Sequence, residues 1–156
     1  IIVQMALRDI ANGPLPLIFL SEYLYHNKNE YFDLLQTTQY SGGYIRWIKF
    51  FVDAVGKAAK RSAQLLIQYE AIVVKDKNHL KDIRLLPKSV WIVYDYLKLF
   101  PVTSISHAAK QLGSSFNSIS MAVHVLSENG IVIQKNDNVR NRIWEYASLT
   151  SLFIQE

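Results

Sequence analysis

From residue 44 to about residue 74 the sequence carries no proline. Apolar side chains return there every three to four positions, at Ile48, Phe51, Val55, Ala59, Ala63, Leu66 and Tyr69. A spacing near 3.6 puts those residues on one side of a helix, so the stretch predicts one long amphipathic helix. The polar run Lys75-Asp76-Lys77-Asn78-His79 loosens the pattern, and Pro87 lacks the backbone donor that continuation needs. A boundary is expected between residues 75 and 87, with a helical domain over 1–80 and a second domain over 81–156.

Upstream of the long helix the punctuation is local. Ala11-Asn12-Gly13 suits the left-handed end of a helix, and Pro14 and Pro16 favour an extended connector. Ser21 is placed to cap a short helix ending near His26-Asn27. Asn29 precedes a further helix over 30–39, and Ser41-Gly42-Gly43 breaks the chain again. Ile1-Ile2-Val3-Gln4-Met5-Ala6-Leu7 reads as the middle of a helix without its start, so the chain is expected to be a piece of a longer protein.

After Pro87 the grammar changes. Ser89 would cap a helix over 90–100, closed by Pro101. Thr103 or Ser104 would cap a second over 105–112, stopped by Gly113. Ser114 or Ser115 would open a third over 116–128, stopped by Asn129-Gly130. Ile131-Val132-Ile133 and Arg142-Ile143-Trp144-Glu145-Tyr146 flank the turn-forming run 135–138, which predicts a β-hairpin, and the apolar stretch 149–154 should pack back. Three helices and a hairpin in this order describe a winged helix-turn-helix. Ala108 and Ala109 let the third helix cross the second closely, and Ile119, Ala122, Val123 and Leu126 form the buried stripe of the third. The fold expected for the whole chain is mainly α, with one small β-hairpin.

The third helix would expose Asn117, Ser118, Ser120, Met121, His124 and Ser127, and the wing adds Arg140, Asn141 and Arg142. Small polar residues can read base edges, but a groove-reading helix usually also brings Lys or Arg to phosphates and guanines. This helix has neither. Residues 101–156 hold four basic residues (Lys110, Lys135, Arg140, Arg142) against four acidic ones (Glu128, Asp137, Glu145, Glu156). The net charge of +4 therefore arises upstream, where Lys57, Lys60 and Arg61 form the one tight group. Double-stranded DNA, a protein target and a homodimer all remain partners of such a module, with protein contact favoured by the neutral domain and the adaptable Met121.

Composition narrows the classes. With 50% hydrophobic and 19% charged residues the chain is not disordered, and the longest apolar run, 90–94, cannot span a bilayer. The absence of cysteine excludes disulfides, thiolate zinc sites and cysteine nucleophiles, and suits a cytoplasmic protein. No glycine-rich phosphate loop, metal-ligand spacing or nucleophile elbow is present, so catalytic and metal residues are expected to be none.

The helical part resembles a known family. Leu20-Ser21-Glu22-Tyr23-Leu24, then Glu30-Tyr31-Phe32-Asp33-Leu34-Leu35, then Trp47-Ile48-Lys49-Phe50-Phe51 is similar to the C-terminal half of a Fic domain, over about residues 1–73. Fic enzymes move AMP from ATP onto a hydroxyl of a target protein with Mg²⁺. Their signature is His-x-Phe-x-(Asp/Glu)-Gly-Asn-Gly-Arg-x-x-Arg. The signature is absent here, as none of His26, His79, His107 and His124 is followed by it. In the family it lies just before the helix that residues 1–10 resemble. The resemblance therefore implies a non-catalytic C-terminal fragment, with the missing N-terminal half of the domain as its first partner. No cofactor is expected in this chain; ATP and Mg²⁺ belong to the intact parent. Tyr31 and Phe32 match the Tyr-Tyr pair beside the nucleotide, and Gln39 stands where an amide approaches it. By residue type alone Tyr31 and Phe32 equally suit core aromatics. The alternative from another class is a self-contained transcriptional regulator that uses its helical part to dimerise.

Overall fold

The computed structural model describes residues 19–136 and 142–153. The chain is mainly helical with one small antiparallel sheet, and it divides into two compact units, Ile1–Ile67 and Gln68–Glu156. That division falls upstream of the boundary expected near residue 80. Among the described residues no helix is long and apolar enough to cross a membrane.

In the first unit α1 (Leu20–His26) and α2 (Lys28–Ser41) meet at Asn27, whose side-chain amide donates to the Tyr23 carbonyl at 2.8 Å. α2 starts one residue before the expected Asn29 cap and ends on Gly42, whose φ of 69° is the left-handed conformation that glycine adopts without strain. Ser21 lies inside α1 and does not cap it; the N-cap is Phe19, which has no side chain able to do so.

The long helix, α3 (Tyr44–Asp82), has 39 residues, and its register differs from the expected one. The buried stripe is Phe50, Ala54, Ala58, Ser62 and Leu65, while Ile48 and Leu66 of the sequence pattern are exposed. Ser62 is buried because its hydroxyl is used twice: it donates to the Ala58 carbonyl at 2.9 Å and accepts from the Phe19 backbone at 3.3 Å. The alanines let neighbouring backbone approach. Propensity and period fixed that a helix forms here; the small residues fixed which side is covered.

α3 also runs on through the polar stretch 75–79, where the apolar pattern loosens, to Asp82. Its last turns belong to the core of the second unit. Leu80 is fully buried there, with Tyr69 and Ile72 packed on the same cluster. The Tyr146 hydroxyl donates to Asp76 at 2.5 Å, and the Tyr94 hydroxyl donates to the Val73 carbonyl at 3.0 Å. Burial first, then the adjacent Asp76 carboxylate, pushes the Tyr146 phenol well above the ordinary tyrosine range, so it stays a neutral donor.

The rest of this unit is α4 (Lys88–Leu99), β1 (Val102–Ser104), α5 (Ile105–Leu112), α6 (Phe116–Glu128), β2 (Ile133–Gln134), β3 (Ile143–Glu145) and α7 (Ala147–Thr150). Strand order β1-β3-β2, antiparallel throughout, completes a winged helix-turn-helix. α4 begins at Lys88 after an extended Pro87, so Ser89 sits within it and caps nothing. Between the offered caps the structure selects Ser104, which accepts from His107 N, and Ser115, which accepts from Ser118 N. Gly113 makes the turn at φ 59°, and Ser114 N bonds the Ala109 carbonyl at 3.0 Å. β1 was not expected. Its three residues are a strand because they pair with β3, with Thr103 opposite Trp144. Ile131 and Val132 are buried core residues preceding β2 and not part of it.

Replacing Tyr146 with Phe keeps the buried ring but leaves Asp76 without its donor. The expected cost is about 1–3 kcal/mol. Urea unfolding followed by tryptophan fluorescence should show a lower midpoint at unchanged slope; an unchanged midpoint would remove this bond from the docking of α3.

Candidate functional site

The residues singled out in the sequence fall into both units, so each group is described by itself. In the first unit Tyr31 is partly buried, with its ring 6.3 Å from Phe50 and 5.6 Å from Phe32. Phe32 is 62% exposed and Gln39 is also exposed. At 100° per residue, positions 32 and 39 share one side of α2, roughly 10 Å apart along its axis. The two aromatics thus divide their roles: Tyr31 packs, and Phe32 presents a free ring face with an amide two turns away. A flat heteroaromatic group could stack on the ring while the amide meets its edge.

A second arrangement in the same unit has no counterpart in the sequence reading. Tyr23, Asn27, Glu30 and Leu34 from α1 and α2 face Arg46, Lys49, Phe50, Asp53 and Lys57 from α3 across an open cavity of about 480 Å³. Lys57 is engaged: its Nζ lies 2.7 Å from Asp53, 3.4 Å from the Tyr23 hydroxyl and 5.6 Å from the Tyr23 ring centroid. Asp53 chiefly, then Tyr23, raises the Lys57 pKa, so it is charged across the neutral range. The sequence signal was present in the three- and four-residue steps 46, 49, 53, 57 and 23, 27, 30, 34. It could be read only with the knowledge that these two faces meet.

In the second unit α6 exposes Asn117, Met121 and His124, with Met121 54% exposed. Ser118 and Ser120 are half-buried, and Val125 packs on the core. Phe116, the first residue of α6, is an exposed apolar residue on this element. His124 meets β3: its ring stands edge-on to Trp144, with centroids 5.6 Å apart and planes at 75°. Trp144 is 4% exposed, and its indole N–H has no hydrogen-bond partner; neither does the Arg142 Nε. Arg142 is half-buried at the base of the wing and not free at its tip. Arg140 lies outside the described residues. α6 itself carries no Lys or Arg.

Lys135 and Glu145 join β2's end to β3, with Nζ 3.2 Å from the carboxylate. Bonding from Thr150 first, then from Lys135, holds the Glu145 carboxyl below the ordinary glutamate range against the opposing effect of burial. Among the described residues no group of three or more His, Asp or Glu side chains is placed to hold a metal ion. No family model matches the chain, and no curated protein matches it.

Two predictions follow from the wing and its helix. Because the folded Glu145 pKa is depressed, its contribution is complete above the unfolded glutamate pKa and is lost as pH falls through the folded value. Lys135 is half exposed, so the loss should be less than about 1 kcal/mol. Glu145→Gln should flatten that acid limb in urea titrations, and an unaltered limb would assign it to other carboxylates. Mixed-sequence duplex DNA titrated at low salt should show no measurable affinity, since few phosphates could be neutralised. Salt-sensitive binding that weakens in Arg140→Ala and Arg142→Ala would reverse this expectation and make the wing a DNA contact.

Proposed function

We propose that this chain is the helical C-terminal half of a Fic-type protein AMP-transferase joined to a winged-helix module that contacts protein, and that it works in the cytoplasm. The observation that carries the first part is the paired exposure of Phe32 and Gln39 on one side of α2. A ring and an amide left in water, beside a Tyr31 that packs inward, are what the edge of an adenine site requires. The helix order α1, α2, α3 supports it, since the Leu-Ser, Tyr-Phe and Trp-x-x-Phe-Phe segments each fall on their own helix.

α3 adds a further argument. Beside its buried stripe it keeps a second apolar side in water, Ile45, Ile48, Val52 and Leu66. Apolar area of that kind belongs against another element. The remaining elements of a Fic domain would supply it.

The described residues fit one part of the nucleotide and not the rest. Phe32 and Gln39 suit the base, whereas neither a metal-binding group nor a phosphate-cradling loop is formed by them. General base, metal and phosphate chemistry therefore have to come from the signature segment of the parent, and this chain's own residues only hold and orient the base edge.

For the winged helix, an α6 without Lys or Arg and with Phe116 and Met121 exposed favours a protein surface over a phosphate backbone. The test of the whole is direct. The reading frame upstream of Ile1 should encode the His-x-Phe-x-(Asp/Glu)-Gly-Asn-Gly-Arg signature, and the protein containing it should transfer AMP from labelled ATP. Phe32→Ala and Gln39→Ala in that protein should each raise KM for ATP roughly three- to tenfold, in line with the loss of a stacking or hydrogen-bond contact. A frame without the signature, or a KM untouched by both changes, would defeat the assignment.

A further inference from the structure

The cavity between α1–α2 and α3 lies on the side of α2 opposite Phe32 and Gln39: positions 27, 30 and 34 are turned about half a revolution from positions 32 and 39. It is thus separate from the base edge and needs its own account. Its lining carries three cations, Arg46, Lys49 and Lys57, against two carboxylates, Glu30 and Asp53, an excess of one positive charge. Asp53 is taken up by Lys57, while Arg46 and Lys49 have no ion-pair or hydrogen-bond partner among the described residues. They stand in the first turns of α3, which carries no acidic residue in its first turn. Cations there oppose the helix dipole and, three residues apart, repel one another. Between them and the Lys57–Asp53 pair lies an apolar floor, Phe50 and Leu34, both 8% exposed.

We infer that this groove binds an acidic, extended peptide segment of a partner protein, with a carboxylate side chain held by Arg46 and Lys49 and an adjacent apolar side chain on Phe50 and Leu34. Charge complementarity selects the carboxylate. The shape selects a chain: the lining from Arg46 to Lys57 runs along three turns of α3, roughly 16 Å, and the cavity is open along it. A nucleic-acid strand is disfavoured because Glu30 and Asp53 line the same groove and would face a charge repeated at every nucleotide. A peptide can place an uncharged residue such as serine opposite Glu30.

The test uses the chain as it stands and fluorescence anisotropy with a labelled peptide of repeated Glu-Glu-Leu-Ser, beside a Lys-Lys-Leu-Ser peptide of equal length and a single-stranded oligothymidylate. The acidic peptide should bind at low salt and the other two should not. Arg46→Ala and Lys49→Ala should each weaken it roughly two- to fivefold, as exposed ion pairs do. The double variant Arg46→Glu, Lys49→Glu should weaken it more than tenfold. Both positions are exposed, so circular dichroism should be unchanged, and Lys60→Glu, which does not line the groove, should bind as the parent does. No binding of the acidic peptide, equal binding of the lysine peptide, tighter binding of the oligonucleotide, or an unaltered affinity in the double variant would each overturn the assignment. None of these outcomes bears on the AMP-transferase reading, whose residues lie on the other side of α2.

Discussion

The bond from the Tyr146 hydroxyl to Asp76, with the buried Leu80 one turn further on, decides where α3 ends. A phenol taken out of water must give its proton to an acceptor or forfeit the hydrogen bond it had. Asp76 is that acceptor, and it can serve only if the helix continues past Val74. Its carboxylate in turn opposes ionisation of the phenol, as burial does, so the donor does not switch off over the neutral range. Tyr94 adds a second tie one turn earlier, at the Val73 carbonyl. One helix therefore supplies core residues to both units. The winged helix is completed by turns that a reader of the sequence would assign to a linker.

This explains what could be read from the residues alone and what could not. α5 and α6 were legible because their determinants are local: Ser104 and Ser115 at the caps, Gly113 at the turn, and Ile119, Ala122, Val123 and Leu126 at helical spacing on the buried side. The polar run 75–79 reads as a break because the acceptor role of its half-buried Asp76 is set by Tyr146, seventy positions away, and Leu80 just beyond it is buried only in the assembled core. β1 is invisible for a like reason, having no pattern of its own until β3 pairs with it. The covered side of α3 lies about a quarter turn from the apolar stripe of the sequence, because Ala54, Ala58 and Ser62 are small and carry no strong pattern of their own. At the candidate site the exposed face of α2 and the outward residues of α6 were legible from period. The cavity was not, since its lining is drawn from two elements whose facing sides no local rule gives.

The three sides of α3 in the first unit make different demands. One is covered, by residues small enough to admit neighbours. A second, through Ile45, Ile48 and Val52, is apolar and in water. The third, through Arg46, Lys49, Asp53 and Lys57, is charged and borders a cavity with an aromatic floor. A helix at the surface of a finished domain ordinarily needs one apolar side. Two apolar sides separated by a charged one belong to a helix with neighbours on most of its circumference. Such a helix has room for a further neighbour on its exposed apolar side.

The distribution of charge bears on the winged helix in the same way. Affinity for a phosphate backbone grows with the number of phosphates neutralised, and that number is set by cations on the contacting elements. α6 has none, and Lys135 is engaged with Glu145. Half-buried Arg142 sits with its Nε enclosed. In the helical unit Arg46 and Lys49 stand without an ion-pair partner among the described residues, on the same cavity as Phe50 and Leu34, where an apolar floor lies within reach of the charge. Charge next to apolar surface discriminates among side chains, whereas charge alone discriminates only by sign. The basic balance itself does not distinguish the two units, which carry +2 each; what marks the start of α3 is cations beside an apolar floor, which suits selective recognition of a peptide.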